Sequence, residues 1–291
     1  MFPKVPDHHK PDKPLVPNGL GVIYVLTGTT YLFLLHWFEP TGIEASNNVS
    51  PALTLAVCVL FGGFMGLLDD WMDLRWRYKA FFPLMAAIPL ISLATQLELR
   101  TSITIPFLGA IDFGVHYYFI ILPLILTVTT NTVNQLGGLN GLETVCPAIV
   151  TMGMMAVSGA NAILLYAPLI VWLLLTFLNF QGKIFVGNTG SFAIGMTVAA
   201  FAIISDLKSS LLISLLPYIF NSSLILLNYF FLRTKAKVSF DGEKLFSSHV
   251  RSLVTLITYH RPLTERQAVV IISLLFATST SAALMFQWLF L

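Results

Sequence analysis

Nine apolar runs, near residues 19–38, 51–69, 80–97, 116–133, 145–158, 162–180, 190–205, 209–231 and 267–290, follow one another with short polar segments between most of them. A helix needs about 20 apolar residues to cross a bilayer, and in lipid a helix satisfies its own backbone hydrogen bonds. The pattern therefore restricts the chain to an all-α polytopic membrane protein with about nine transmembrane helices. Composition agrees: 56% of the 291 residues are hydrophobic and 10% are charged, against about 25% charged in a soluble domain. The runs 145–158 and 190–205 are short, as tilted or internally buried helices are. The expectation is one membrane-embedded domain over 1–291 without a soluble appendage, and no nucleic-acid partner.

Charge placement orients the chain. With the N-terminus inside, the cytoplasmic segments hold every Lys and Arg except Arg100 and Lys208, a strong positive-inside asymmetry. It puts the polar loops 69–79, 131–144, 181–189 and 232–266 on one face. Residues 1–18 are polar and proline-rich and read as a cytoplasmic extended segment. Residues 99–114 are β-prone, with a Pro and glycines, and predict a small outer hairpin. Residues 39–50 form an outer loop with an Asn48-Val49-Ser50 sequon, and 232–266 is a cytoplasmic loop. Cys58 and Cys146 lack metal-ligand spacing and read as small core residues. His249 and His260 read as surface or helix-end residues.

Four polar islands interrupt this apolar background. The first is GLLDDWMDLRWRYK, residues 66–79. The chain has 14 acidic residues, and Asp69, Asp70 and Asp73 fall within five positions at the inner end of a span. A carboxylate at a membrane boundary is costly and marks function by default. Adjacent acids can divide metal or substrate binding from proton transfer. The second island, NTVNQLGGLNGLE at 131–143, places Asn131 and Asn134 on one helix face. Amide oxygens suit hard cations, and glycines allow close approach of a sugar diphosphate. In the third, Gly187-Asn188-Thr189-Gly190-Ser191 reads as a tight turn into a helix N-terminus, where free N–H groups favour phosphate. In the fourth, Arg233, Lys235 and Lys237 either grip a diphosphate or serve as juxtamembrane cations.

Together these islands resemble the polyprenyl-phosphate N-acetylhexosamine-1-phosphate transferases, over essentially the whole chain. The likeness is strongest to the archaeal and eukaryotic UDP-GlcNAc:dolichyl-phosphate GlcNAc-1-phosphotransferase branch. DDWMDLRWRYK resembles that branch's acidic segment followed by RWR and Lys. NTVNQLGGLNGLE resembles its Asn-rich loop, and PLVPNGLG at 14–21 resembles the segment after the family's first span. The resemblance implies transfer of GlcNAc-1-phosphate from UDP-GlcNAc to a polyprenyl or dolichyl phosphate at the cytoplasmic face, with release of UMP, as the first step of lipid-linked oligosaccharide synthesis for N-glycosylation. It implies Mg²⁺ as cofactor, Mn²⁺ as the alternative, surrounding membrane lipids as partners, and a homodimer as a candidate assembly. Carried over residue by residue, Asp69 and Asp70 are the essential acids, and Lys79 holds the lipid phosphate beside Asn131 on the 127–135 helix end. Asn134 and Asn188 are the metal ligands, Gly138 and Asn140 contact the nucleotide sugar, and Asn18 lies near the uridine. Arg233, Lys235 and Lys237 fall where the family grips the diphosphate.

The pattern departs from the family's in two places. Asn188 stands where the family carries an aspartate ligand, so metal affinity is expected to fall. The chain also begins just after the family's usual first span, which fits either a mis-called start codon or a natural nine-span variant. Two other readings stay open: a catalytically impaired homologue, and a transporter of an anionic lipid or sugar that uses the acids as a proton relay. An archaeal cell membrane is the expected location, with the endoplasmic reticulum as the alternative.

Overall fold

The computed structural model describes residues 2–38, 50–233 and 238–290, so the sequon at Asn48, Lys235 and Lys237 lie outside the described residues. The chain opens on an antiparallel hairpin, β1 (Lys4–Pro6) and β2 (Leu15–Pro17), with Lys4 opposite Pro17. This replaces the extended segment expected from composition. No local alternation announces it, because it is closed by a backbone bond from Asp7 to Pro14 at 3.0 Å.

The membrane-embedded body follows: α1 (Gly21–Phe38), α2 (Pro51–Met72), α3 (Trp76–Gln96), the hairpin β3 (Ser102–Ile105) and β4 (Gly109–Asp112), then α4 (Leu122–Gln135) after a π-turn at 117–121. Next come α5 (Leu142–Val157), α6 (Tyr166–Phe180) after a 3₁₀ turn, α7 (Gly187–Ile204), α8 (Lys208–Ser214), α9 (Leu216–Leu227) and a π-turn at 228–232. A small hairpin, β5 (Ser239–Phe240) and β6 (Leu245–Phe246), leads to α10 (Leu253–His260) and α11 (Glu265–Phe290). Among the described residues, seven helical stretches are long and apolar enough to cross a membrane, and α8 with α9 makes a further apolar pair bent by 55°. The run at 145–158 becomes α5, 16 residues long and shorter than a full crossing. The chain is an all-α, multi-pass integral membrane protein.

Prolines explain where the helices break and how they are tied together. Pro217 has no N–H for the carbonyl of Ile213, and that carbonyl instead accepts the Ser279 hydroxyl from α11 at 2.6 Å. Pro83 likewise frees the carbonyl of Lys79, which accepts Asn131 Nδ2 from α4 at 3.0 Å. The polar side chains thus repair backbone groups that lipid could not solvate.

Helix α7 is the central element, with 89% of its 18-residue apolar window buried. It lies against α2 through backbone contact: a Cβ on Gly66 would sit 2.2 Å from the Asn188 carbonyl oxygen, and one on Gly62 would sit 2.8 Å from that of Phe192. Small residues four apart are the membrane solution to close helix packing, since lipid supplies no hydrophobic drive between helices. At the opposite end from Asp69 and Asp70, the two cations that break the positive-inside pattern share one counter-charge. Asp206 pairs with Arg100 at 3.0 Å and with the buried Lys208. Cys58 and Cys146 are buried free thiols on different helices, as small core residues should be.

Candidate active site

The first three polar islands meet at the other end of the bundle. Asp69 and Asp70 occupy the last turn of α2, which stops at Asp73 in the left-handed conformation (φ 49°). Neighbours on a helix point in different directions, and the two carboxylates have different partners. Asp69 is buried; its Oδ1 accepts the Leu74 N–H at 2.9 Å, and its Oδ2 faces Lys79 Nζ at 2.8 Å. No donor is aligned on Oδ2 for a hydrogen bond, so the Lys79 ammonium is its counter-charge.

Asp70 reaches across to α7. Its Oδ1 accepts the Asn188 N–H at 2.9 Å, and its Oδ2 accepts the Thr189 N–H at 2.9 Å and the Thr189 hydroxyl at 2.8 Å. The residue before α7, Val186, has no capping side chain, so Asp70 caps this helix from another helix. The carboxylate satisfies two orphan donors and complements the positive end of the helix dipole. Gly187 makes room for it: φ is +69°, and a Cβ there would lie 2.9 Å from Asp70 Oδ2 and 3.1 Å from Asn18 Oδ1. Asn18 is therefore beside the same turn.

Asn131 and Asn134 do share a face of α4. Asn131 is held by the Lys79 and Thr127 carbonyls. Asn134 Oδ1 accepts the Ser191 hydroxyl, which also lies 3.3 Å from the Asn188 carbonyl oxygen. The two expected metal ligands are thus linked through Ser191, one residue that sequence reading assigned no role. The Asn188 side chain is half-buried and makes no hydrogen bond among the described residues. Two neutral amides joined through Ser191 offer oxygen donors of the kind that suits a hard divalent cation, provided a substrate diphosphate supplies further oxygens.

Asn140 is placed differently from an open sugar contact. It is buried, its Nδ2 donates to Asp7 Oδ2 at 2.7 Å and to Glu265 Oε1 at 2.9 Å, and its backbone N–H also donates to Glu265 Oε1. Lys10 pairs with the other oxygen of Glu265. The N-terminal hairpin and the first residue of α11 therefore clamp the loop between α4 and α5. Gly138, with φ +95°, faces open space. Buried Asn179 joins the second and third islands, accepting Gly141 N–H at 2.8 Å and donating to the Ile184 carbonyl at 2.8 Å. Glu143 is a further acid at the site; its Oε1 is buried without a partner. The NGLE sequence puts it next to the glycine loop, where the sequence alone assigns it no role. Arg233 is exposed and left-handed (φ 49°), one residue beyond the π-turn.

A cleft of about 660 Å³ runs between α3, α4 and α9. Lys79, Asn131, Asn134 and Gln135 line its polar end, and Val128, Ile219 and Leu226 are among its apolar walls. Trp76, Leu226, Tyr229 and Phe230 on its walls are exposed, so the cleft opens to the outside of the bundle.

This architecture is matched by the family model for glycosyl transferase family 4 over residues 52–206, more than half of the chain. The chain belongs to glycosyl transferase family 4. Among relatives, a Saccharolobus solfataricus protein provisionally named as a UDP-N-acetylglucosamine–dolichyl-phosphate N-acetylglucosaminephosphotransferase is 34% identical over 277 residues, 91% of this chain and 82% of that one. The Saccharomyces cerevisiae protein of the same name is 27% identical over 266 residues, 74% of this chain and 58% of its own length. A phospho-N-acetylmuramoyl-pentapeptide-transferase of Bacillus cytotoxicus is 31% identical over 231 residues, 74% of this chain and 68% of that protein. The matched segment of glycosyl transferase family 4 contains Asp69, Asp70, Lys79, Asn134 and Asn188 but not the 232–266 loop or the N-terminal hairpin. As a family member the protein is a membrane-embedded transferase.

Proposed function

We propose that the protein transfers GlcNAc-1-phosphate from UDP-GlcNAc to a polyprenyl phosphate of the dolichyl type at the cytoplasmic face, releasing UMP. The observation that carries this reading is the Asp69–Lys79 pair at the polar mouth of an apolar cleft. A lipid phosphate needs that combination: apolar walls for isoprene units, a cation for the phosphate, and a carboxylate beside it. The archaeal and yeast relatives carry the activity in their names, with UDP-N-acetylglucosamine and dolichyl phosphate as substrates.

In this reading Lys79 fixes the acceptor phosphate and Asp69 takes its remaining proton. The freed oxygen attacks the β-phosphorus of UDP-GlcNAc. A new phosphorus–oxygen bond forms to the lipid, the bond from the β-phosphorus to the bridging oxygen breaks, and UMP leaves with that oxygen. Asn134 and Asn188, linked through Ser191, would hold Mg²⁺, and Mn²⁺ would fit the same oxygens. When bound, the ion neutralises the diphosphate and stabilises the leaving UMP. Asp70 acts as a positioning residue, since both its oxygens are engaged by α7. That occupancy favours direct displacement over an aspartyl-phosphate intermediate. A transporter would place ionisable groups at mid-membrane; here the ion pairs among the described residues lie at the two ends of the bundle. The archaeal relatives and the short extramembrane loops favour an archaeal cell membrane over the endoplasmic reticulum.

The test is UMP release from purified protein with Mg²⁺. Release only when UDP-GlcNAc and dolichyl phosphate are both present is expected. Release without acceptor, or none with both, would overturn the reading.

A further inference from the structure

On the cytoplasmic side, β5–β6 and the start of α11 enclose a pocket of about 690 Å³ that shares no lining residue with the acceptor cleft. Three cations line it, Lys244, Arg261 and Arg266, together with the single acid Glu243. All four side chains are exposed, and none takes part in an ion pair among the described residues. Even counting Asp241 at the turn beside Lys244, three cations face two acids, so the concavity stays net positive and attracts an anion.

Their convergence is built into the backbone. Leu245 and Leu263 exchange hydrogen bonds of 2.7 and 3.0 Å, pinning the hairpin to the segment before α11. Asp241 Oδ1 accepts the Glu243 and Lys244 N–H groups at 3.0 and 2.7 Å, which fixes the turn that carries Lys244. The floor of the pocket changes character along α11. Val270 and Ile271, 48% and 43% exposed, lie one turn below Arg266 and Gln267, a descent of about 6 Å towards the membrane interior. Cations at the water line with exposed aliphatic surface one turn deeper is the layout of a phospholipid lying along a helix.

We propose that this pocket binds the phosphodiester headgroup of an anionic membrane lipid, with its chains along Val270 and Ile271. Glu265 and Arg266 would then give the start of α11 two faces, one clamping Asn140 and one anchored in the leaflet. The site is distinct from the acceptor site, and its test does not require turnover.

The experiment is native mass spectrometry of the detergent-purified protein titrated with dioleoylphosphatidylglycerol or dioleoylphosphatidylcholine. The wild type should retain the anionic lipid in preference. A variant with Lys244→Gln, Arg261→Gln and Arg266→Gln should bind one copy more weakly by about a hundredfold, from roughly fivefold per juxtamembrane cation. Lys4→Gln with Lys13→Gln, on the N-terminal hairpin, should bind like the wild type. Should the triple variant fail to fold, Arg261→Gln alone carries the test with a loss of about fivefold. Unchanged retention in these pocket variants, an equal loss in the hairpin control, or equal displacement by soluble glycerophosphoglycerol would overturn the proposal.

Discussion

Removing Asp70 should destabilise the fold more than removing Asp69, although the two are neighbours. In Asp70→Ala the Asn188 and Thr189 N–H groups and the Thr189 hydroxyl lose their acceptor. The Asn188 bond lies at an exposed position, so water can replace it. The Thr189 N–H is part-buried and stays unsatisfied, which costs about 1–3 kcal/mol. Losing the charge at the α7 N-terminus adds about 1 kcal/mol. The total is about 3 kcal/mol, falling on the element around which the bundle packs. Asp70→Asn keeps one acceptor oxygen and should cost about half as much by the same terms. Asp69→Asn retains an oxygen for the Leu74 N–H, and the freed Lys79 is 24% exposed and can reach water; its cost should stay near 1 kcal/mol. Thermal unfolding in detergent can be followed with a thiol-reactive dye, because Cys58 and Cys146 are both buried until the helices separate. The expected order of melting is wild type, then Asp69→Asn, then Asp70→Asn, with Asp70→Ala lowest. An Asp70→Ala protein that melts with the wild type would refute the cap.

Asp69→Asn should abolish transfer while the protein remains folded; full activity would remove Asp69 from the proton-transfer role. Asn188→Asp adds a charged oxygen where the side chain makes no bond, and should lower the Mg²⁺ concentration needed for half-maximal activity. An unchanged requirement means that position 188 does not hold the ion. Lys79→Ala should raise the KM for dolichyl phosphate more than that for UDP-GlcNAc, and the reverse pattern would separate Lys79 from the acceptor.

The apolar runs made the helical body legible because span length is a local property. All nine predicted runs have helical counterparts, with 145–158 as a short helix and 209–231 broken where Pro217 removes a donor. The β3–β4 hairpin and the helix beginning at Gly187 were legible from turn chemistry. The partners of the polar residues were not. Asp70 meets Thr189, and Asn140 meets Asp7 and Glu265, across more than a hundred residues of chain. Nothing in local spacing encodes such pairs. The N-terminal hairpin escaped for a related reason: it is held in place by the buried contacts of Asp7 and the Lys10–Glu265 pair rather than by an alternating pattern. Asn131 shows the same limit from the other side. It reads as a polar island residue, and the structure adds that it repairs the Lys79 carbonyl left open by Pro83.

The most direct test of the central claim follows the β-phosphorus itself. UDP-GlcNAc labelled at the β-phosphate is incubated with purified protein, Mg²⁺ and dolichyl phosphate, and the lipid is extracted and weighed by mass spectrometry. The account predicts that the label moves into a dolichyl diphosphate carrying one GlcNAc, with UMP formed in equal amount. Label left in aqueous UDP, with GlcNAc transferred to lipid without its phosphate, would contradict it.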